Sequence, residues 1–307
     1  MTVHVWIPAN TSPHHRSLLP AGAEVHEVPG EGRLPDRLGP GQFLVAAFNV
    51  DRLLDVIPRL DDLRVVQTLS AGVDRFAGKL PPGVVLCDGS GIHDVAVAEW
   101  VVMTVLASRH HLAGYLEAQR AGHWRSGARD DADDLEGATI LILGYGSIGR
   151  AVEARLAPFG ANFLRVALHE RPGVAPASEL TSLLPQADAV VVLLPLTGAT
   201  RGLVDAGFLS RMAPGSLLVN ASRGPVVDTE ALLAAVREGR ITAALDVTDP
   251  EPLPDGHPLW SAPGVLITPH VAGWVRGRLD RSWRLVADQV DRFMRGAPLR
   301  NVVADGY

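Results

Sequence analysis

A chain of 307 residues with 47% hydrophobic and 20% charged residues is about twice the usual single-domain size and too apolar for disorder, so two domains are expected. Lys and Arg number 28 against 34 Asp and Glu, a balance that lacks the basic footprint of a nucleic-acid or anionic-membrane partner. The single cysteine, Cys87, excludes an internal disulfide and fits a reducing cytoplasm, and neither a signal peptide nor a membrane-length apolar run is visible.

Short apolar runs at residues 3–7, 25–28, 43–47, 64–68 and 84–87 predict five buried strands. Between them, residues 50–60 carry Leu53, Leu54, Ile57 and Leu60 at helical spacing. Strand–helix alternation of this kind predicts a parallel sheet covered by helices. Residues 8–41 are rich in Pro and Gly and show poor periodicity. A Pro-free stretch over 94–120 predicts one long helix, started by Asp94 and burying Val97, Val101, Val105 and Leu112. It reads equally as a core helix or as a connection between two strand series. Residues 122–137 read as a polar loop.

The second series is cleaner. Strands are expected at 139–143, 163–166, 189–194, 216–220, 242–245 and 265–268, with helices at 150–157, 229–238 and 276–294.

The strongest motif is Gly144-Tyr145-Gly146-Ser147-Ile148-Gly149, which follows a strand and precedes a helix. In that context the first glycine makes the tight turn, the second lets backbone approach a pyrophosphate, and the third packs helix on sheet. The helix N-terminus offers N–H groups to the anion. Adenosyl-methionine binding is the rival reading of such a turn. A serine nucleophile elbow fails, because Tyr145 stands where glycine is needed.

Three later strands deliver chemistry to the same sheet edge. The strand at 216–220 runs into Ser222-Arg223-Gly224, that at 242–245 into Asp246 and Glu251, and that at 265–268 into His270. Alone, each is more simply a surface residue; together, beside a dinucleotide turn, they suggest hydride transfer to a ketone. A histidine suits proton donation near neutral pH, a carboxylate can orient its ring, and an arginine fork can hold a substrate carboxylate. The implied substrate is a 2-oxo acid or its 2-hydroxy counterpart.

The combination of the glycine turn with Leu194-Pro195-Leu196-Thr197, Asn220-Ala221-Ser222-Arg223-Gly224-Pro225-Val226-Val227-Asp228, Asp246-Val247, Pro250-Glu251-Pro252-Leu253 and Thr268-Pro269-His270 resembles the D-2-hydroxyacid dehydrogenases, and most of all their glyoxylate/hydroxypyruvate reductases. The resemblance spans nearly the whole chain. It implies an α/β fold of two doubly wound parallel-sheet domains: a Rossmann NAD(P) domain over 95–274, inserted in a flavodoxin-like substrate domain over 1–94 and 275–307, with the site in the cleft. It implies Arg223 as substrate clamp, Glu251 as partner acid and His270 as proton donor. Cofactor contacts are implied at Gly144, Gly146, Ser147, Ile148, Gly149, Leu194, Pro195, Thr200, Ala221, Ser222, His270 and Gly273, with Asp246 at the nicotinamide end. Backbone of Ala71, Gly72 and Val73 would help to hold the substrate carboxylate. A homodimer that uses the helix over 94–120 is also implied. The corepressors that keep this fold supply a rival from another class, a nucleotide-sensing interaction protein, which the full Arg223, Glu251 and His270 set disfavours.

Two departures from the family pattern stand out. The acid expected at the end of the second strand to hold the adenosine ribose is Ala167, with Glu170 three places on and Arg165, His169 and Arg171 nearby. This favours NADP(H) over NAD(H). Trp274, bulky and close to His270, would shape the substrate pocket or pack between domains. Other histidines carry no such pattern. His257 sits in a loop ahead of the last strand, and the adjacent pairs His14-His15 and His110-His111 diverge on a helix, so no metal is expected.

Overall fold

The computed structural model describes residues 2–29, 33–47, 50–74, 76, 78–125 and 132–303, so part of the loop expected over 122–137 lies outside the described residues. The chain divides into two compact units, Met1–His93 with Val275–Tyr307, and Asp94–Trp274.

The first unit holds β1 (Val3–Pro8), β2 (Ala23–Val28), a short β3 (Gly39–Pro40), β4 (Phe43–Ala46), β5 (Leu60–Asp61), β6 (Val65–Thr68) and β7 (Val85–Cys87), with helices α1 (Pro13–Arg16) and α2 (Val50–Val56). Five strands form a parallel sheet in the order β2-β1-β4-β6-β7, while β3 and β5 pair separately. Alternation along the strands feeds two cores. Val3, Val5, Ile7, Phe43 and Val65 meet Trp283, Val286 and Val290 of the C-terminal helix Arg278–Met294. Trp6, Leu44 and Val66 meet Leu53, Val56, Ile57 and Phe76 on the other face. Burial of both faces is why these strands read as unbroken apolar runs.

In the second unit, α3 (Asp94–Arg109) and α4 (Leu112–Arg120) lead into β8 (Thr139–Leu143), α5 (Ser147–Leu156), β9 (Asn162–Ala167), β10 (Ala175–Pro176), α6 (Leu180–Leu183), β11 (Ala189–Val192), α7 (Ala206–Arg211), β12 (Leu217–Asn220), α8 (Thr229–Arg237), β13 (Thr242–Leu245) and β14 (Val265–Ile267). All seven strands are parallel, in the order β10-β9-β8-β11-β12-β13-β14. The order reverses between β8 and β11, where ligands bind open α/β sheets. Ile140, Ile142 and Val191 pack under Val97, Val101 and Val105 of α3 and Val152 and Leu156 of α5. Leu141, Leu143, Val190 and Val192 face the opposite core with Phe208, Leu232 and Val236.

The single helix expected over 94–120 is instead two. His111 adopts left-handed backbone at φ 50° between α3 and α4. Seven residues of α3 are buried, whereas α4 buries none and Leu112 is exposed. With no glycine or proline at the break, composition gave no signal of it. Asp94 is the first helical residue rather than the preceding cap, and its carboxylate accepts from Ser147 Oγ at 3.2 Å.

Candidate active site

The glycine turn lies at the β8–α5 junction. Gly144 has φ 99°, and a Cβ there would fall 2.7 Å from the Leu193 carbonyl oxygen just past β11, so backbone shape and close approach both require glycine. A Cβ on Gly146 would meet no atom within 4 Å, which leaves open space above the turn. Gly149 is buried against Ile142, and Ile148 packs beside the same core. The ten-residue α5 begins at Ser147, earlier than the expected 150, so the first free helical N–H groups border that space. This cradle fits the diphosphate of a dinucleotide. On the facing strand end, Leu194 packs on the core, Pro195 is exposed, and Thr200 Oγ1 closes the loop by donating to the Pro195 carbonyl at 2.6 Å.

At the end of β12, the side chain of buried Asn220 holds the next turn. Its Oδ1 accepts from Ser222 Oγ at 2.7 Å, and its Nδ2 donates to the Arg223 carbonyl at 3.1 Å. Ala221 is half-buried, and the half-buried Arg223 donates from Nη1 to the Ser222 carbonyl at 2.8 Å. Gly224 is pressed on the following strand's loop, since a Cβ would lie 1.8 Å from the Thr248 carbonyl oxygen.

His270 and Glu251 meet: Nδ1 lies 2.6 Å from Oε1, with about half of each side chain exposed. The imidazole therefore has one nitrogen held and the other available. His270 is left-handed at φ 54°, and its N–H donates to the Asp246 carbonyl at 2.7 Å. Asp246 is buried, with Thr268 Oγ1 and the Val271 N–H on Oδ1 at 2.6 and 2.8 Å and the Ala272 N–H on Oδ2 at 2.9 Å. The sequence offered Asp246 as a nicotinamide contact; its role as the clasp of the His270 loop was not foreseen. Gly273 is half-buried, and Trp274 is exposed. His257 is absorbed structurally, its Nδ1 accepting from the Leu259 N–H at 3.2 Å.

Ala167 does end β9. Beyond it, Glu170 and Arg171 line one open cavity of about 650 Å³ together with Arg165. Arg171 donates to the Tyr145 carbonyl of the glycine turn and lies 6.0 Å from that ring's centre. Arg165 is not an available cation, contrary to the expectation. Both its Nε and Nη2 donate to Glu153 at 2.6 Å, a two-point pair that holds the Glu153 carboxyl below its ordinary pKa and raises that of Arg165. In the first unit, Ala71 and Gly72 are half-buried and Val73 is buried, with the Gly72 N–H donating to Ser70 Oγ at 3.2 Å.

Fold and site together define a dinucleotide-binding oxidoreductase. Residues 102–272 match the family model described as D-isomer specific 2-hydroxyacid dehydrogenase, NAD binding domain. The glyoxylate/hydroxypyruvate reductase B of Pectobacterium atrosepticum is 36% identical over 230 residues, covering 71% of this chain and 71% of that protein. The chloroplastic/mitochondrial formate dehydrogenase of Arabidopsis thaliana is 32% identical over 271 residues, 81% of this chain and 69% of that one. Among solved structures, the NADPH-dependent glyoxylate/hydroxypyruvate reductase of Sinorhizobium meliloti superposes with a TM-score of 0.84 at 26% identity, covering 98% of each chain. The chain belongs to the D-isomer specific 2-hydroxyacid dehydrogenase family. It is a nicotinamide-dependent 2-hydroxyacid dehydrogenase, an enzyme of 2-oxo acid reduction.

Proposed function

We propose that this enzyme reduces a small 2-oxo acid of the glyoxylate or hydroxypyruvate type to its D-2-hydroxy acid, with NADPH preferred to NADH. The observation that carries the reading is the 2.6 Å contact between His270 and Glu251 on the strand edge that also bears Arg223. When bound, the cofactor supplies the hydride; Gly144, Gly146, Ser147, Ile148 and Gly149 would hold its diphosphate, with Leu194, Pro195, Thr200, Ala221, Ser222 and Gly273 along its length. His270 gives the proton to the nascent alkoxide, and Glu251 keeps that ring in place from Nδ1. Arg223 binds the substrate carboxylate and polarises the adjacent carbonyl.

The NADPH preference rests on two features. Ala167 offers no carboxylate to a ribose 2′-hydroxyl, and Arg171 is fixed to the glycine turn where a 2′-phosphate would lie. The NADPH dependence of the S. meliloti reductase supports the same direction. A homodimer belongs to the same reading, because Met103, Leu112, Tyr115 and Leu116 leave large apolar side chains exposed along α3 and α4. Among the described residues no helix is long and apolar enough to cross a membrane.

Steady-state kcat/KM with glyoxylate, hydroxypyruvate, pyruvate and bulkier oxo acids, each with NADPH and NADH, tests the proposal. Best turnover on the two smallest hydroxylated or unsubstituted acids is expected. Preference for a branched or aromatic oxo acid, or formate oxidation as the main activity, would overturn it.

A further inference from the structure

The outer edge of the five-stranded sheet carries a cluster that 2-oxo acid reduction does not use. In the β1–β2 ladder His4 stands opposite Glu24 and Trp6 opposite His26, so these four side chains share one face. His4 Nδ1 and His26 Nε2 are 2.9 Å apart. Glu24 spans them, with one oxygen 3.6 Å from His4 Nδ1 and the other 3.7 Å from His26 Nε2.

Those separations have a metric meaning. A tetrahedral zinc ion with bonds of roughly 2.0–2.1 Å to nitrogen and oxygen spaces its ligand atoms about 3.4 Å apart. The two ring nitrogens stand 2.9 Å apart, and with one Glu24 oxygen all three donors lie within 4.8 Å of one another, so a turn of the imidazoles and a swing of the exposed carboxylate would bring them to that spacing. The indole of Trp6 stacks on the His26 ring at 5.0 Å and 22°, which limits that ring's freedom. The histidines are largely shielded, at 19% and 27% exposure, whereas Glu24 at 55% opens to solvent. Without metal the two imidazoles share one N–H···N hydrogen bond. A change of tautomer in the donating ring frees both facing lone pairs.

We propose that His4, Glu24 and His26 bind a divalent transition metal of the zinc type, through two imidazoles and one carboxylate, with water in the fourth position. Two nitrogens and an oxygen without thiolate suit zinc, nickel or copper(II) rather than a soft monovalent ion. Because β2 is the edge strand, the metal clips it to β1 and stabilises the folded state by mass action. A second group, His14, His15 and Asp280, is also within ligand distance. There both ring nitrogens of His15 face partners already, Ser12 Oγ and Asp280 at 2.9 Å each, and His14 is 3.9 Å from the carboxylate. It serves as the control.

The test is calorimetric titration of the chelator-stripped full chain with zinc chloride, joined to thermal unfolding with and without zinc. One zinc per chain and a zinc-dependent rise in Tm are expected. Affinity should fall at least about tenfold in His4→Ala and in His26→Ala, as loss of a metal-site group does, and remain unchanged in His15→Ala. Should a histidine variant fail to fold, Glu24→Gln removes an exposed ligand and should weaken binding while leaving the unliganded Tm in place. Absence of zinc binding, binding indifferent to His4, His26 and Glu24, or binding lost instead in His15→Ala overturns the proposal. Anomalous scattering at the zinc edge should place the ion between β1 and β2; density elsewhere overturns it equally.

Discussion

On the proposed reading, Arg171→Ala should erase most of a preference for NADPH while leaving NADH nearly untouched. A hydrogen bond to a charged group is worth about 1.5–3 kcal/mol, and the exposure of Arg171 places its contact with a 2′-phosphate at or below the low end. About 1.4 kcal/mol is tenfold in rate, so kcat/KM for NADPH should fall about tenfold. Arg171 also donates to the Tyr145 carbonyl and lies against the Tyr145 ring, and loss of those contacts loosens the glycine turn for either cofactor. The ratio of the two kcat/KM values cancels that shared effect, so the ratio is the quantity to measure, at fixed ionic strength because exposed charges are screened. Glu170 lines the same cavity with opposite charge, and Glu170→Gln should move the ratio further toward NADPH. An unchanged ratio in Arg171→Ala, or a tenfold wild-type preference for NADH, would refute the reasoning and make Glu170 the governing residue.

Arg223→Lys keeps the charge but loses the fork; a loss of about 2–3 kcal/mol predicts a fall of roughly 30–150-fold in kcat/KM for the best oxo acid, and near-wild-type turnover would remove the carboxylate clamp. Glu251→Gln should lower kcat about tenfold or more with cofactor affinity unchanged, because only the ring of His270 loses its charged support; equal kcat in a folded variant would detach Glu251 from the chemistry. Glu153 is ionised well into acid because Arg165 hydrogen-bonds it, so the pair's stabilisation is present above the ordinary carboxyl range near 4.3 and is lost as pH falls through the lower folded value. The stability gap between wild type and Glu153→Gln, read by urea unfolding, should therefore be widest near pH 7 and close below about pH 4; a gap that widens in acid would reverse the sign.

Much of the fold is legible because both sheets are buried on two faces. Such strands appear as short apolar runs, and ten of the expected eleven end within one residue of where the structure ends them; the run at 189–194 overshot, since Leu193 and Leu194 already turn away over Gly144. Local signals failed where tertiary contacts decide. Nothing in the sequence marks His111 as a helix break, because the cause is the loss of core contact beyond Arg109 rather than a breaking residue. Arg165 looked free for the same reason: a strand residue and Glu153 twelve positions earlier, on α5, become partners only when helix packs on sheet. The pairing of His4 with His26 is equally invisible, since parallel register across 22 positions is set by the whole sheet.

Asp246 shows why three separate strand ends can act as one device. Its carboxylate is buried, a state that is costly unless every oxygen is hydrogen-bonded. Three donors on the segment after β14 meet that need, from Thr268, Val271 and Ala272, and they flank His270 on both sides. The same bonds hold His270 at positive φ, a conformation a histidine rarely adopts and which points its ring to Glu251. On the other side of β13, Gly224 lets the Arg223 turn press on the Thr248 carbonyl, where any larger residue would push the arginine away. The loop after β13 thus touches both neighbours, one through a carboxylate clasp and one through a backbone contact. A proton donor and a carboxylate clamp must keep a fixed separation to act on one small substrate, since displacement of about 1 Å can cost 10²-fold in rate. β13 and its loop hold the backbone of both turns, which is the constancy that the roles proposed for His270 and Arg223 require.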